Sequence, residues 1–320
     1  MNYVEWIRRR IGTRKIFLPF ASMIVRDENG RILLQRRTDF DWWGIPGGAL
    51  ELDEDITGCA LREVREETGL SAQVERLVGV YSDPKYDVTY PNGDQVQQYT
   101  VCLEGRVTGG ELRPDGRETV SLRFFSPSAL PWDEMPIWYR DMVRDSLERE
   151  HPASGSPVRL ERVEDQIASV RSHIGQDWYI GVGAAVVIVN PAGSILMVKR
   201  SDNGAWSLPA GFSDLGENVA YTAAREAREE TGLDVALERI LGVFSGTAFH
   251  HTYPNGDKVK NVAAVFRAAP VSGQAEIRSS EILEIEWVQP VEVLARTAAK
   301  PFSPLFEAVV GCLDSGYFLL

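Results

Sequence analysis

Apolar positions along this chain fall into short runs at strand spacing, separated by glycine, proline and asparagine, with one longer stretch at helical spacing among them. Residues 21–25, the Asn29-Gly30 turn and residues 31–34 predict a hairpin. A glycine-rich turn then opens a helix that ends near Leu70, followed by strands at 77–81, 96–103 and 122–125 and a helix over 136–150. Then the series begins again. A first helix at about 161–174 precedes a second hairpin, 184–189 and 195–198 around Ala192-Gly193. Strands at 240–244, 259–266 and 285–288 and a closing helix over 304–313 complete the echo. Strands and helices interleave without a regular βαβ alternation, which predicts an α/β sandwich with a mixed sheet rather than a doubly wound parallel one.

The restart is literal. Thr-Tyr-Pro-Asn-Gly-Asp stands at 89–94 and at 252–257, and Glu-Glu-Thr-Gly-Leu at 66–70 and at 229–233; 252 − 89 and 229 − 66 both equal 163. The same offset aligns 31–37 with 194–200 and Trp43 with Trp206, with no insertion from about residue 4 to 125. A period of 163 is far too long for a solenoid and means two copies of one domain. The expected domains are residues 1–151 and 158–320, joined at His-Pro-Ala-Ser-Gly-Ser-Pro near Pro152. The apolar tail 317–320 is expected to pack onto a domain, since it is too short to span or anchor in a membrane.

A length of 320 residues agrees with two globular domains. The formal net charge of −12 repels a phosphate backbone and argues against a nucleic acid polymer as partner. Three dispersed cysteines (Cys59, Cys102 and Cys312) supply neither a disulfide framework nor a thiolate zinc site. The opening residues are charged where a signal peptide would be apolar, and no run of 18 apolar residues occurs. Cytoplasmic location and no membrane partner are the expectation.

The candidate chemistry lies in residues 47–70. On a helix, Glu63, Glu66 and Glu67 fall within one arc of about 100°, with Leu61 and Val64 on the other side. Like charges at this spacing destabilise a helix unless something offsets them. A hard divalent cation would do so, and carboxylate oxygens suit magnesium or manganese. Arg62 is placed to pair with Glu54 and hold the preceding loop. The bland alternative is a solvated acidic face, but the full spacing recurs at Gly211, Glu217, Arg225, Glu226, Glu229, Glu230 and Gly232.

Gly48-x5-Glu54-x7-Arg62-Glu63-Val64-x-Glu66-Glu67-x-Gly69-Leu70 resembles the Nudix box at every position, and 211–233 resembles it at all but Ala227. The resemblance implies an α/β/α sandwich in each copy and Mg2+- or Mn2+-dependent hydrolysis of a diphosphate linked to a nucleoside. ADP-ribose, a nucleotide sugar, a dinucleoside polyphosphate and a nucleoside triphosphate, oxidised ones included, are the substrate types. It further implies that Glu63, Glu66 and Glu67 with the Gly47 carbonyl are metal ligands, matched by Glu226, Glu229 and Glu230 with the Ala210 carbonyl. For the general base it leaves the loop glutamates Glu118 and Glu281, which align at 163, or Glu63 and Glu226.

Recognition lies outside the box. Trp43 and Trp206 either stack on a base or support the turn, and Arg37 and Arg200 either meet phosphate or end a strand in solvent. Tyr86 lies in a segment, 83–86, that changes to 246–249 in the second copy, so the two pockets should differ. His250 and His251 read as solvated loop residues, and the repeated Tyr-Pro-Asn-Gly-Asp as a β-turn with Tyr90 and Tyr253 near the pocket. The reading of another class is a nucleotide-binding sensor or scaffold in which one copy has little turnover. The copies are also expected to pair as an intramolecular pseudo-dimer.

Overall fold

The computed structural model describes residues 2–38, 40–148, 151–297 and 303–320. They form two compact units, Met1–Ala153 and Ser154–Leu320.

In the first unit, α1 (Tyr3–Ile11) leads into β1 (Ile16–Arg26), whose burial on both faces marks a central strand. β2 (Ile32–Arg37), β3 (Trp43–Gly44) and β4 (Gly47–Ala49) follow, then α2 (Ile56–Thr68) and β5 (Leu70–Tyr81). After them come β6 (Val88–Thr89), β7 (Gln95–Gly110), β8 (Thr119–Phe125) and α3 (Ile137–Glu148). The sheet runs β3-β2-β1-β7-β5, with β4 on β1, β6 on β7 and β8 on β2. β1 and β7 pair in parallel from Ile16↔Val96 to Arg26↔Arg106, and the other pairings are antiparallel, which makes the sheet mixed as expected. α2 buries Ile56, Cys59, Ala60 and Val64, one stripe at helical spacing, and α3 buries Tyr139, Met142 and Val143.

The second unit repeats this plan. It comprises β9 (Arg159–Glu164), α4 (Gln166–Ile174), β10 (Tyr179–Ile188), β11 (Ile195–Arg200), β12 (Trp206–Ser207), β13 (Ala210–Phe212) and β14 (Leu215–Glu217). α5 (Val219–Thr231), β15 (Asp234–Phe244), β16 (His250–Thr252), β17 (Lys258–Ser272), β18 (Ile282–Val288), α6 (Pro290–Thr297), α7 (Ser303–Gly311) and β19 (Phe318–Leu319) complete it. β10 pairs with β17 in parallel, as β1 does with β7. The terminal β19 adds to β15 at Gly242↔Phe318, so the apolar tail packs onto its own unit.

Three expectations need correction. Each hairpin holds only at its base, Arg26↔Ile32 and the Val189↔Ile195 bridge, because the first strand turns away to its parallel partner and the second to β8 or β18. The helix expected from residue 161 begins at Gln166; residues 159–164 are instead a strand against β14. Leu160 and Glu164 are exposed, as suits a short edge strand, and Asp165 caps the helix by accepting from Ala168 N. The supposed linker is partly structured: Ala153 bridges Gly79, exchanging backbone hydrogen bonds with Val78 and Val80. The last two residues of the helix expected over 136–150 lie outside the described residues.

The caps of the two box helices differ in consequence. Asp55 accepts from Gly58 N at 2.7 Å on an exposed corner. Asn218 accepts from Tyr221 N (2.9 Å) and Val158 N (3.0 Å) and donates to Ser156 O (2.7 Å), pinning the segment before β9 to the helix. Asp55→Ala should cost about 1 kcal/mol, the usual value of a cap. Asn218→Ala should cost about 2–3 kcal/mol, because two further buried bonds are lost. The urea midpoints of the two variants check the order.

Candidate active sites

Each site is built where the strand opening the box lies against the helix closing it. In the first unit β4 pairs with β1 at Ala21↔Gly48 and Ser22↔Gly47. A Cβ at Gly47 would strike the Ala21 carbonyl and Ser22, and one at Gly48 would overlap the Glu63 carboxylate, so both glycines are dictated by close approach. Glu67, only 4% exposed, accepts from Gly47 N at 2.9 Å and from Gln35 Nε2 at 3.0 Å, while Thr119 donates to Gln35. Arg37 Nη1 stands 3.9 Å from Glu67.

Arg62 does what its position in the sequence suggested. It contacts Glu54 at 2.5 and 3.0 Å, Glu63 at 2.6 Å, Glu66 at 3.1 Å and the Ala49 carbonyl at 3.3 Å. One guanidinium thereby ties loop, strand and two of the three helix glutamates together. Arg225 repeats the pattern with Glu217, Glu226 (2.6 Å), Glu229 (3.0 Å) and the Phe212 carbonyl (2.9 Å). Glu66 and Glu229 sit at the exposed rim.

Burial dominates the electrostatics of these carboxyls. It raises Glu67 to about 8 and Glu230 to about 8, Glu226 to about 7, and Glu63 above its ordinary value. Glu118 adds a like-charge push on Glu63, and Glu281 on Glu226 and Glu230, so both loop glutamates face the box. Among the described residues no three His, Cys, Asp or Glu side chains are gathered closely enough to hold a metal ion. The donor chemistry nevertheless suits one: Glu63 and Glu67 set carboxylate oxygens, hard donors of the kind magnesium takes, against the glycine strand, and Glu226 and Glu230 do the same in the second unit.

Ala210 replaces the first glycine of the turn without disturbing it. It pairs with Ala185, where the first unit has the larger Ser22, and its N–H reaches Glu230 at 3.2 Å. Val198 and Ile282 stand where Gln35 and Thr119 do, so the polar bridge to Glu67 has an apolar counterpart.

The expected recognition residues fare unevenly. Arg37 and Glu118 line a cleft of about 920 Å³ beside Glu63, Glu66 and Glu67. Trp43 instead packs edge-on against Phe125, at 5.1 Å, which supports the turn; of the two adjacent tryptophans it is Trp42 that lines the cleft. Tyr86 is a correction too: it is buried and donates to Asp141 at 2.7 Å, away from the cleft. In the second unit Arg200 and Trp206 line a cleft of about 210 Å³, where Arg200 is held at 3.0 and 3.1 Å by Asp202 and Trp206 lies under Arg296. His250 and His251 are on strand β16, not on a loop, against Trp178 and Tyr253 respectively. The repeated turn is as read: Tyr90 and Asp94 close it around Gly93 at positive φ, and Tyr90 and Tyr253 line their clefts. Phe40, Trp42, Gln35 and strand β9 escaped the sequence reading; a glutamine directly after the apolar Ile32-Leu33-Leu34 of β2 was the available signal for Gln35.

The NUDIX domain model matches the chain twice, over residues 17–146 and 180–308. A putative 8-oxo-dGTP diphosphatase of Bacillus subtilis (strain 168) is 37% identical over 116 residues, 36% of this chain and 71% of that protein. An ADP-ribose pyrophosphatase of Methanocaldococcus jannaschii is 34% identical over 145 residues, 44% of this chain and 80% of its own. Among solved structures, an ADP-ribose pyrophosphatase from Streptococcus suis 89-1591 covers 43% of this chain and 97% of its own at 25% identity, with a TM-score of 0.34. No helix among the described residues is long and apolar enough to cross a membrane.

Proposed function

The chain belongs to the NUDIX family, is a hydrolase of phosphoric anhydride bonds, and we propose that it carries two such sites, one in each repeat, for diphosphates of nucleosides. In the first, Glu63, Glu66 and Glu67 with the Gly47 carbonyl hold magnesium or manganese; in the second, Glu226, Glu229 and Glu230 with the Ala210 carbonyl do. The bound cation would neutralise the diphosphate and activate water. Arg62 and Arg225 keep the box loop on the helix through Glu54 and Glu217, which fixes the ligand glutamates before substrate arrives. Arg37 and Arg200 contact phosphate at the rim. Glu118 and Glu281 accept the proton of the attacking water: they face the box carboxylates yet stand outside the arginine networks that hold Glu63 and Glu226.

The observation that carries this reading is the carboxylate pair, one buried and one half-buried, set against the glycine strand at the same place in both units. The test is product release from ADP-ribose, a nucleotide sugar, a dinucleoside polyphosphate and 8-oxo-dGTP, with magnesium and with excess chelator. Turnover that disappears with chelator is expected. No turnover of any compound with magnesium, or turnover indifferent to chelator, would sink the reading.

A further inference from the structure

Residues that the box does not include divide the two clefts. In the first, Phe40 and Trp42 stack at 4.2 Å between ring centroids and 13° between planes. Tyr90 leans on Phe40 at 5.6 Å, and Trp138 meets Trp42 edge-on at 5.3 Å, so the platform is braced at both ends. All four rings line the cleft that also holds Arg37 and Glu67. Each is half-buried, so each keeps a surface to offer. The indole Nε1 of Trp42 is buried without a hydrogen-bond partner, a cost that packing for stability alone would avoid.

At the 163 offset the second unit has Asn203 for Phe40 and Ala205 for Trp42, and keeps Tyr253 for Tyr90. The floor is rebuilt as well: Gly181 and Gly183 replace Leu18 and Phe20, while Phe212 replaces Ala49 and lies over Gly181. Leu305 and Phe306 line the small cleft that results. The aromatic platform thus belongs to one copy, and in the other its place, between Arg200 and Tyr253, is taken by Asn203 and Ala205 beside a small apolar cleft.

We propose that the two copies have different specificities, with the first selecting a flat aromatic base by stacking on Phe40 and Trp42 and the second, which has Asn203 and Ala205 there, selecting without that stacking. The proposal rests on the hydrolase reading for its phosphate end, but its test does not need turnover. Stacking tolerates any base with a π face, so its signature is the affinity difference between a nucleotide and the same sugar phosphate without the base. Calorimetric titration of the full chain with AMP and with ribose 5-phosphate gives that difference directly.

The wild-type chain should favour AMP on the order of ten- to a hundred-fold, the range of one base on an aromatic ring. Trp42→Ala should erase most of that preference and leave ribose 5-phosphate unchanged. Trp42→Phe should retain it, since a ring remains and the orphaned N–H is gone. Ala205→Leu, a control in the second unit, should leave the first-site preference intact. An unaltered preference in Trp42→Ala, or no AMP preference in the wild type, overturns the proposal. Turnover in the panel above would stand in either case, so the two readings fail separately. An unfolded Trp42→Ala, detected by a lost thermal transition, passes the decision to Phe40→Ala, for which the same loss is expected and an unaltered preference is refuting.

Discussion

Replacing Glu67 by glutamine should abolish turnover at the first site, by at least about a hundredfold, while the metal-free protein becomes more stable. The two effects share one cause. Glu67 is buried against Gly47 N and Gln35, and burial lifts its carboxyl to about 8 from an ordinary value near 4.5. A raised acid binds its proton more tightly in the folded state than in the unfolded chain, so the metal-free fold loses stability as pH rises from about 4.5 to 8. Glutamine keeps the shape and the contact with Gly47 through its carboxamide, removes that slope, and removes a negative oxygen that a divalent cation needs. Thermal midpoints in chelator at pH 5 and pH 8 should differ less for Glu67→Gln than for the wild type. A variant with wild-type turnover would remove Glu67 from the ligand set. Glu230→Gln is the matching experiment in the second unit, and substrates lost separately in the two variants would establish two working sites. A silent Glu230→Gln would assign the second copy to binding.

The second large effect concerns Arg225. Glu217 is 1% exposed and holds this guanidinium at 3.1 Å, with Thr222 at 3.3 Å and Arg159 at 3.9 Å also beside it. Arg225→Ala takes the bidentate cation from a buried carboxylate and should cost about 3–5 kcal/mol. Arg62→Ala removes the same contacts from Glu54, whose side chain is 18% exposed and can rehydrate, and should cost about 1–3 kcal/mol. Urea unfolding of both variants tests the ranking; an equal or larger loss for Arg62→Ala would show that the burial of Glu217 is not what decides it.

How far the sequence carried the molecule depended on the range of each interaction. The duplication, the box helices, the Arg62–Glu54 pairing and the mixed sheet were legible because helical spacing and an ungapped offset place those residues without knowledge of tertiary contacts. Trp42 was not: whether it or Trp43 faces the cleft is set just before it, where Asp41 takes a positive φ of 52° that no residue pattern announced. Tyr86 looked like a pocket residue until α3 brought Asp141 over it. Strand β9 was read as helix because its pairing with β14 spans some fifty positions, and periodicity cannot see so far.

That strand also sets where the second repeat can be cut. The repeated sequence suggests starting at α4, but a chain beginning at Asp165 would strip β14 of its partner and leave Leu215–Glu217 as a bare edge beside α5. Exposed edges recruit strands from other molecules. A fragment begun before Ser156 should stay monomeric, and one begun at Asp165 should self-associate.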